Sequence, residues 1–259
     1  ITQLSTVKSP QQITGILIKT LIAAQLNVKP EKIYSVSATP CMAMKFEARR
    51  EGMMRKGISD VDSVMTVREL ARLVRLYGID VSNIEPEPAD EPMAGRSSSA
   101  ALSEISGGLA EAVIRSAHFI KHKNDADRKL FKKLRSGGSF REASFMIGEN
   151  EVNVAVVDGL KGLEQLRASQ ASGKKYNLIE VMTCPGGCIN GAGLSFNTAM
   201  EEKKSQTKAI YQADETDAVS IPCKSPVVMD LYEKLIKENK DISDKKIFYT
   251  HFEKRNVLL

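Results

Sequence analysis

In the first part of the chain, apolar residues recur at helical spacing and then at strand spacing. Between 11 and 26, Ile13, Leu17, Leu21 and Ala24 follow one another at helical intervals. They sit behind Ser9-Pro10, an N-cap with proline at the first helical position. The pattern closes before Pro30. A β-rich run at 33–37 leads to Thr39-Pro40-Cys41, a charged helical segment is expected from 42 to about 55, and a second strand over 61–65. Thr66-Val67-Arg68-Glu69 is a capping box opening a helix through Tyr77, which Gly78 stops. From 80 to 99 the periodicity gives way to a Pro-, Glu- and Ser-rich loop or linker.

The second half resumes with a helix around 109–119, a basic polar stretch over 121–135, and Gly137-Gly138. Residues 152–157 form a strand-like run ending in Asp158-Gly159. A helix over 160–171 follows, with Leu160, Leu163 and Leu166 expected on one face and Gly173 as its stop. The strand expected over 177–182 runs straight into Cys184-Pro185-Gly186-Gly187-Cys188. Strand, Gly-stopped helix and strand read as a βαβ unit, so the expected fold class is α/β, with parallel sheets flanked by helices. After Ala199 the chain turns polar and helical, Pro226 opens a helix over 227–238, and a last segment covers 247–252.

Composition narrows the classes. The 259 residues are 42% hydrophobic and 27% charged, too apolar for intrinsic disorder. No apolar run approaches the roughly 20 residues of a membrane span. A net charge of +5 is spread along the chain, a weak pointer to an acidic protein partner and a weaker one to nucleic acid. Ile1-Thr2-Gln3 carries neither a basic n-region nor a long apolar h-region, so no secretory signal and a cytoplasmic location are expected. The cysteines, Cys41, Cys184, Cys188 and Cys223, are too bunched for a disulfide scaffold. Metal ligands, reactive thiols and buried small hydrophobes remain the alternatives.

Two cysteine loops each follow a predicted strand, where ligands gather in parallel α/β sheets. Gly186 and Gly187 let the backbone take positive φ and approach a bulky inorganic group. Amides in such a turn favour an anionic sulfide cluster. The C-x3-C spacing is not the C-x-x-C of a redox pair. Zinc stays open, although His118, His122 and His251 lie near neither loop in sequence.

These loops resemble two cluster-binding signatures of the iron-only ([FeFe]) hydrogenases. The chain reads P-C-M-A-M-K-F-E at 40–47 and E-V-M-T-C-P-G-G-C-I-N-G-A-G at 180–193. Leu4-Ser5-Thr6-Val7-Lys8-Ser9-Pro10-Gln11-Gln12, Asp60-Val61-Asp62, Gly107-Gly108 and Tyr249-Thr250-His251-Phe252 extend the similarity from end to end. The resemblance implies two lobes, about 1–95 and 96–259, with the cluster site in the cleft between them. It implies that Cys41, Cys184 and Cys188 are thiolate ligands of a [4Fe-4S] cluster, Cys188 also bridging to a di-iron unit. That unit carries CO, cyanide and a bridging dithiolate, the whole being the H-cluster, and interconverts H2 with protons and electrons. Ser5 matches the proton-relay serine, with a turn or capping role as the plain alternative. Glu47 and Glu111 are expected as supporting carboxylates, with a solvated helix face as the plain alternative. A ferredoxin-type carrier or a partner subunit would exchange the electrons, and neither nucleic acid nor membrane is expected.

The family's first signature, which carries the fourth ligand, is not matched, so the resemblance implies an H-cluster domain truncated at its amino end. Cys223 matches no ligand position and is expected to be a plain thiol. Thr39, Met44 and Ser103 stand where the family usually has Met, Lys and Phe. The lysine donates a charge-assisted hydrogen bond to cyanide, which Met44 cannot do. Such changes tune potential and turnover, and they resemble the divergent, sensory branch. Two other readings therefore stand beside a catalytic domain: a hydrogen sensor, and an iron–sulfur assembly protein that shares the cysteine frame.

Overall fold

The computed structural model describes residues 4–88, 90, 95, 97–195, 199–237 and 245–253. Residues 89, 91–94 and 96 of the expected linker, residues 1–3, and Glu238 at the expected end of the last helix lie outside the described residues. The chain divides into two units, Ile1–Pro92 with Leu231–Leu259, and Met93–Asp230. Residues 231–259 belong to the first unit although they follow the second in sequence. There Val7 bridges Tyr249 in antiparallel fashion. The Lys8 N–H donates to Phe248 O at 2.8 Å, and the Thr250 N–H to Thr6 O at 2.7 Å.

The first unit opens with α1 (Pro10–Leu17), where the Ser9 hydroxyl caps the Gln12 N–H. The helix widens into a π turn at Ile18–Ile22 before α2 (Ala23–Gln25). In the widened turn Lys19 points inward, donating to Ile33 O and, at 2.6 Å, to Asp62 Oδ2. Next come β1 (Val36–Thr39), α3 (Ala43–Ala48), a hairpin of β2 (Met54–Arg55) and β3 (Ile58–Ser59), β4 (Ser63–Thr66) and α4 (Val67–Leu76). β1 and β4 pair in parallel from Val36↔Ser63 to Thr39↔Thr66. The helix expected over 42–55 ends at Ala48. Lys56 and Gly57 both take positive φ, as the type I′ turn of a two-residue hairpin requires. The interior mixes Ile16, Met53 and Val61 with buried ion pairs. Lys8 Nζ meets Asp60 Oδ2 at 2.6 Å, and Arg55 meets the other carboxylate oxygen at 3.1 Å.

The second unit contains α5 (Ser98–Leu102), α6 (Gly108–His122), α7 (Lys132–Arg135), β5 (Phe140–Ile147), β6 (Asn150–Asp158), α8 (Gly159–Ala171), β7 (Leu178–Met182) and α9 (Met200–Thr216); α10 (Pro226–Lys237) begins in it. The expected βαβ unit is present: β6 and β7 pair in parallel from Val154↔Leu178 to Asp158↔Met182. The sheet is mixed rather than wholly parallel, because β5 pairs antiparallel with β6 in the order β5-β6-β7. Both faces of β6 are covered. Phe131, Phe145, Ile114, Leu134, Val154 and Val156 pack on one side, and Ala155, Val157 and Leu166 on the other. Leu160 does not share the buried face of α8 and is 81% exposed, since 100° per residue carries it away from Leu166.

A buried ion network ties α6 to α9. Both terminal nitrogens of Arg115 lie 2.8 Å from the Asp214 carboxylate, and Arg135 reaches Glu111 at 2.7 Å and Asp214 at 3.0 Å. Burial would raise the Asp214 pKa, but hydrogen bonds from Arg115 and Ser98 and the nearby guanidinium charges hold it at about 2. Glu111 thus lies in the interior rather than on a solvated helix face. No helix among the described residues is long and apolar enough to cross a membrane.

Candidate functional site

The first cysteine loop leaves the carboxyl end of β1. Thr39 is buried, and its hydroxyl accepts the Cys41 N–H at 3.2 Å, holding the half-buried cysteine in the turn before α3. Met44 is half-buried, and its carbonyl accepts from Gln11 Nε2 at 3.4 Å. Lys45 turns outward to Glu69 at 2.6 Å, so it takes no part beside Met44. The Lys45 contact, with the Thr66 amide and hydroxyl, pulls the Glu69 carboxyl down to about 2. Glu47 accepts from the Ser9 hydroxyl at 2.6 Å. Ser5 is exposed, and its Oγ accepts the Val7 N–H at 3.3 Å, the turn arrangement open to that residue type.

The second loop leaves the carboxyl end of β7 and is held by backbone. Gly186 and Gly187 have φ of 84° and 104°. A Cβ on Gly187 would lie 2.4 Å from Glu104 O and 2.7 Å from Ser106 N, so no side chain fits. Gly187 bridges Ile105 in antiparallel fashion. Ser106 N–H donates to Gly186 O at 3.2 Å, Ile189 N–H to Glu104 O at 3.3 Å, and Gly187 N–H to Cys184 O at 3.0 Å. Cys184 and Cys188 are half-buried on this loop. A cavity of about 610 Å³ opens beside it, bounded by Pro185, Gly186, Ile189 and Asn190 and by the cations Arg141 and Lys161.

The structure thus brings Cys184 and Cys188 onto one turn of the second unit, while Ser5, Thr39, Cys41 and Met44 belong to the first. Among the described residues, no three His, Cys, Asp or Glu side chains are grouped to hold a metal ion. Ser103 donates to Ala100 O at 2.6 Å. Cys223 sits half-buried in a short 3₁₀ turn, Pro222–Lys224.

Sequence reasoning gave Glu180 no role of its own. Glu180 is 5% exposed, and its carboxylate accepts the Gly107 N–H at 2.6 Å and the Ala110 N–H at 2.7 Å, at the amino end of α6. Burial pushes its pKa up, against the pull of those amides and of Arg141. The available signal was one acidic residue inside an otherwise apolar strand.

The donor chemistry suits an iron–sulfur group. Soft thiols select iron–sulfur clusters over hard cations, and Gly187 lets the turn that carries two of them pack directly on the backbone of residues 104–106.

The comparisons agree with this chemistry. Residues 1–192 match the model of the iron-only hydrogenase large subunit, C-terminal domain. The NADP-reducing hydrogenase subunit HndD of Solidesulfovibrio fructosivorans is 33% identical over 98% of this chain and 44% of its own length. The cytosolic iron-sulfur assembly component 3 of Mus musculus is 30% identical over 96% of this chain and 53% of its own length. The chain therefore spans about half the length of these curated relatives. Among solved structures, a variant of apo [FeFe]-hydrogenase HydA1 from Chlamydomonas reinhardtii superposes with a TM-score of 0.78 at 23% identity, covering 96% of this chain and 70% of that one. In fold and in sequence, the chain belongs to the family of the iron-only hydrogenase large subunit, C-terminal domain.

Proposed function

We propose that this chain is an [FeFe]-hydrogenase H-cluster domain, with Cys41, Cys184 and Cys188 as thiolate ligands of a [4Fe-4S] cluster and Cys188 bridging to a di-iron unit. When bound, that group supplies reversible oxidation of H2 to protons and electrons. The observation that supports the reading is the Cys184–Cys188 turn, which carries two thiols on a loop with two positive-φ glycines, Gly187 packed against backbone. The chain's own residues then have defined tasks. Cys184 and Cys188 would hold the group from the turn that the second unit's backbone secures. The Ser5 hydroxyl accepts from Val7 N–H and keeps its own proton to donate, so it can pass a proton at Oγ. Thr39 and Met44 would offer such a group a hydroxyl and a thioether, where the hydrogenases that the sequence resembles have a thioether and an ammonium. A ferredoxin-type carrier or a partner subunit takes the electrons, and the protein works in the cytoplasm.

Two specific observations favour neighbouring readings. The residues at Thr39, Met44 and Ser103 suit a slow, hydrogen-sensing member of the family, and the similarity to the mouse assembly component suits a cluster protein without the di-iron unit. Infrared spectroscopy after co-expression with hydrogenase maturation proteins separates them. Bands of iron-bound CO and cyanide with rapid exchange of H2 against D2O are expected for the catalyst. The bands with little exchange would favour the sensor, and iron and sulfide in cubane proportion without the bands would favour the assembly protein.

A further inference from the structure

Glu180 lies four residues before Cys184, and it is the one ionisable residue of β7. A carboxylate buried in a strand is costly unless its oxygens find donors. Here both do, at 2.6 and 2.7 Å, and both donors are backbone amides at the start of α6, where unsatisfied N–H groups favour negative charge. The residues just before that helix also grip the cysteine turn. Glu104 O takes the Ile189 N–H, Ile105 bridges Gly187, and the Ser106 N–H donates to Gly186 O. One four-residue segment, 104–107, therefore holds the turn through its first three residues and the carboxylate of the preceding strand through its fourth.

We infer that Glu180 is a positioning residue for the Cys184–Cys188 turn: its carboxylate pins the end of β7 to α6, so that the two sulfurs are held at ligating separation before any metal arrives. The inference deepens the cluster reading above and rests on it only for what the sulfurs hold. Glu180→Gln keeps the side-chain volume but presents an NH2 to one of the two amides, losing one acceptor. Glu180→Asp keeps both acceptor oxygens on a shorter arm.

The test is capture of the metal-free protein's thiols by phenylarsine oxide, which closes on two cysteines only when they are near each other. Capture at Cys184 and Cys188 is followed by mass spectrometry, with single-thiol alkylation of Cys41 and Cys223 as the internal reference. Glu180→Gln is expected to slow capture about tenfold, the factor one charge-assisted hydrogen bond carries. Alkylation of Cys41 and Cys223 should not change, and Glu180→Asp should recover most of the lost rate. Unchanged capture in Glu180→Gln overturns the inference. So does loss of the folded circular dichroism spectrum in both variants, which would make Glu180 a strut of the whole unit. Reconstitution of the unmutated protein with ferrous iron and sulfide is run alongside. Slowed capture together with no cluster uptake by the unmutated protein would remove the cluster reading and leave the positioning role standing.

Discussion

Strand β6 of the second unit has four consecutive residues, 154 to 157, with no solvent exposure, whereas β1 of the first buries only Thr39. The second unit closes over stacked Phe131 and Phe145. The first closes over Lys8, Lys19 and Asp60, each 4% exposed or less. Each arrangement delivers a cysteine from the end of a parallel strand. The second unit grips its cysteine turn through backbone contacts to residues 104–106, with Glu180 pinned to the same segment. The first unit fixes Cys41 through a side chain, the Thr39 hydroxyl, above an interior where ion pairs lie beside Ile16 and Met53. Non-directional burial tolerates small changes in volume, while a buried ion pair that loses one member leaves an uncompensated charge.

Within the first unit, Asp60→Asn should have the largest effect, because Lys8 and Arg55 both face that carboxylate. A cost of about 3–5 kcal/mol is expected in urea unfolding of the metal-free protein; a cost below that of any apolar truncation in the second unit would undo the contrast. Gly187→Ala comes next, at roughly 2–5 kcal/mol, since it combines a strained φ with a clash against Glu104 O. The sharper readout is local, namely loss of amide-exchange protection at Ser106 and Ile189 with the β6 amides still protected. Acid acts on both units. The Asp214 pKa lies at about 2 instead of 3.8, so its contribution is present above pH 3.8 and is lost as pH falls towards 2. Asp62 is likewise lowered, its burial outweighed by Lys19 and Ser35. The urea midpoint should therefore fall between about pH 4 and pH 2, and less steeply in Asp214→Asn. Thr66→Ala, which removes the cap of α4, should cost about 1 kcal/mol, seen as a small drop in Tm.

Local chemistry explains what could be read in advance. The capping box at Thr66 and Glu69 forms with both of its hydrogen bonds, because its donors and acceptors are three residues apart and need no tertiary help. The βαβ unit around β6 and β7 was legible from its apolar run and the Gly173 stop. Strand β5 was not, because its inward positions include Arg141, buried only by virtue of Ser106, Ser136 and Asp158. The helix expected through 55 yields to a hairpin whose Lys56-Gly57 turn lacks the usual Asn-Gly signal. The cysteine turn itself was plain from its residues. Glu180 depends on an amide contact across 73 positions of sequence, which no local pattern encodes.

Residues 93–230 make up the second unit without interruption, while the first gains its edge contacts only when residues 248–250 meet residues 6–8. A ribosome reading from the amino end therefore releases every residue of the second unit before the first can finish. Domains generally fold as units during synthesis, so all residues that grip the Cys184–Cys188 turn are made before those that seal the first unit's edge against residues 6–8.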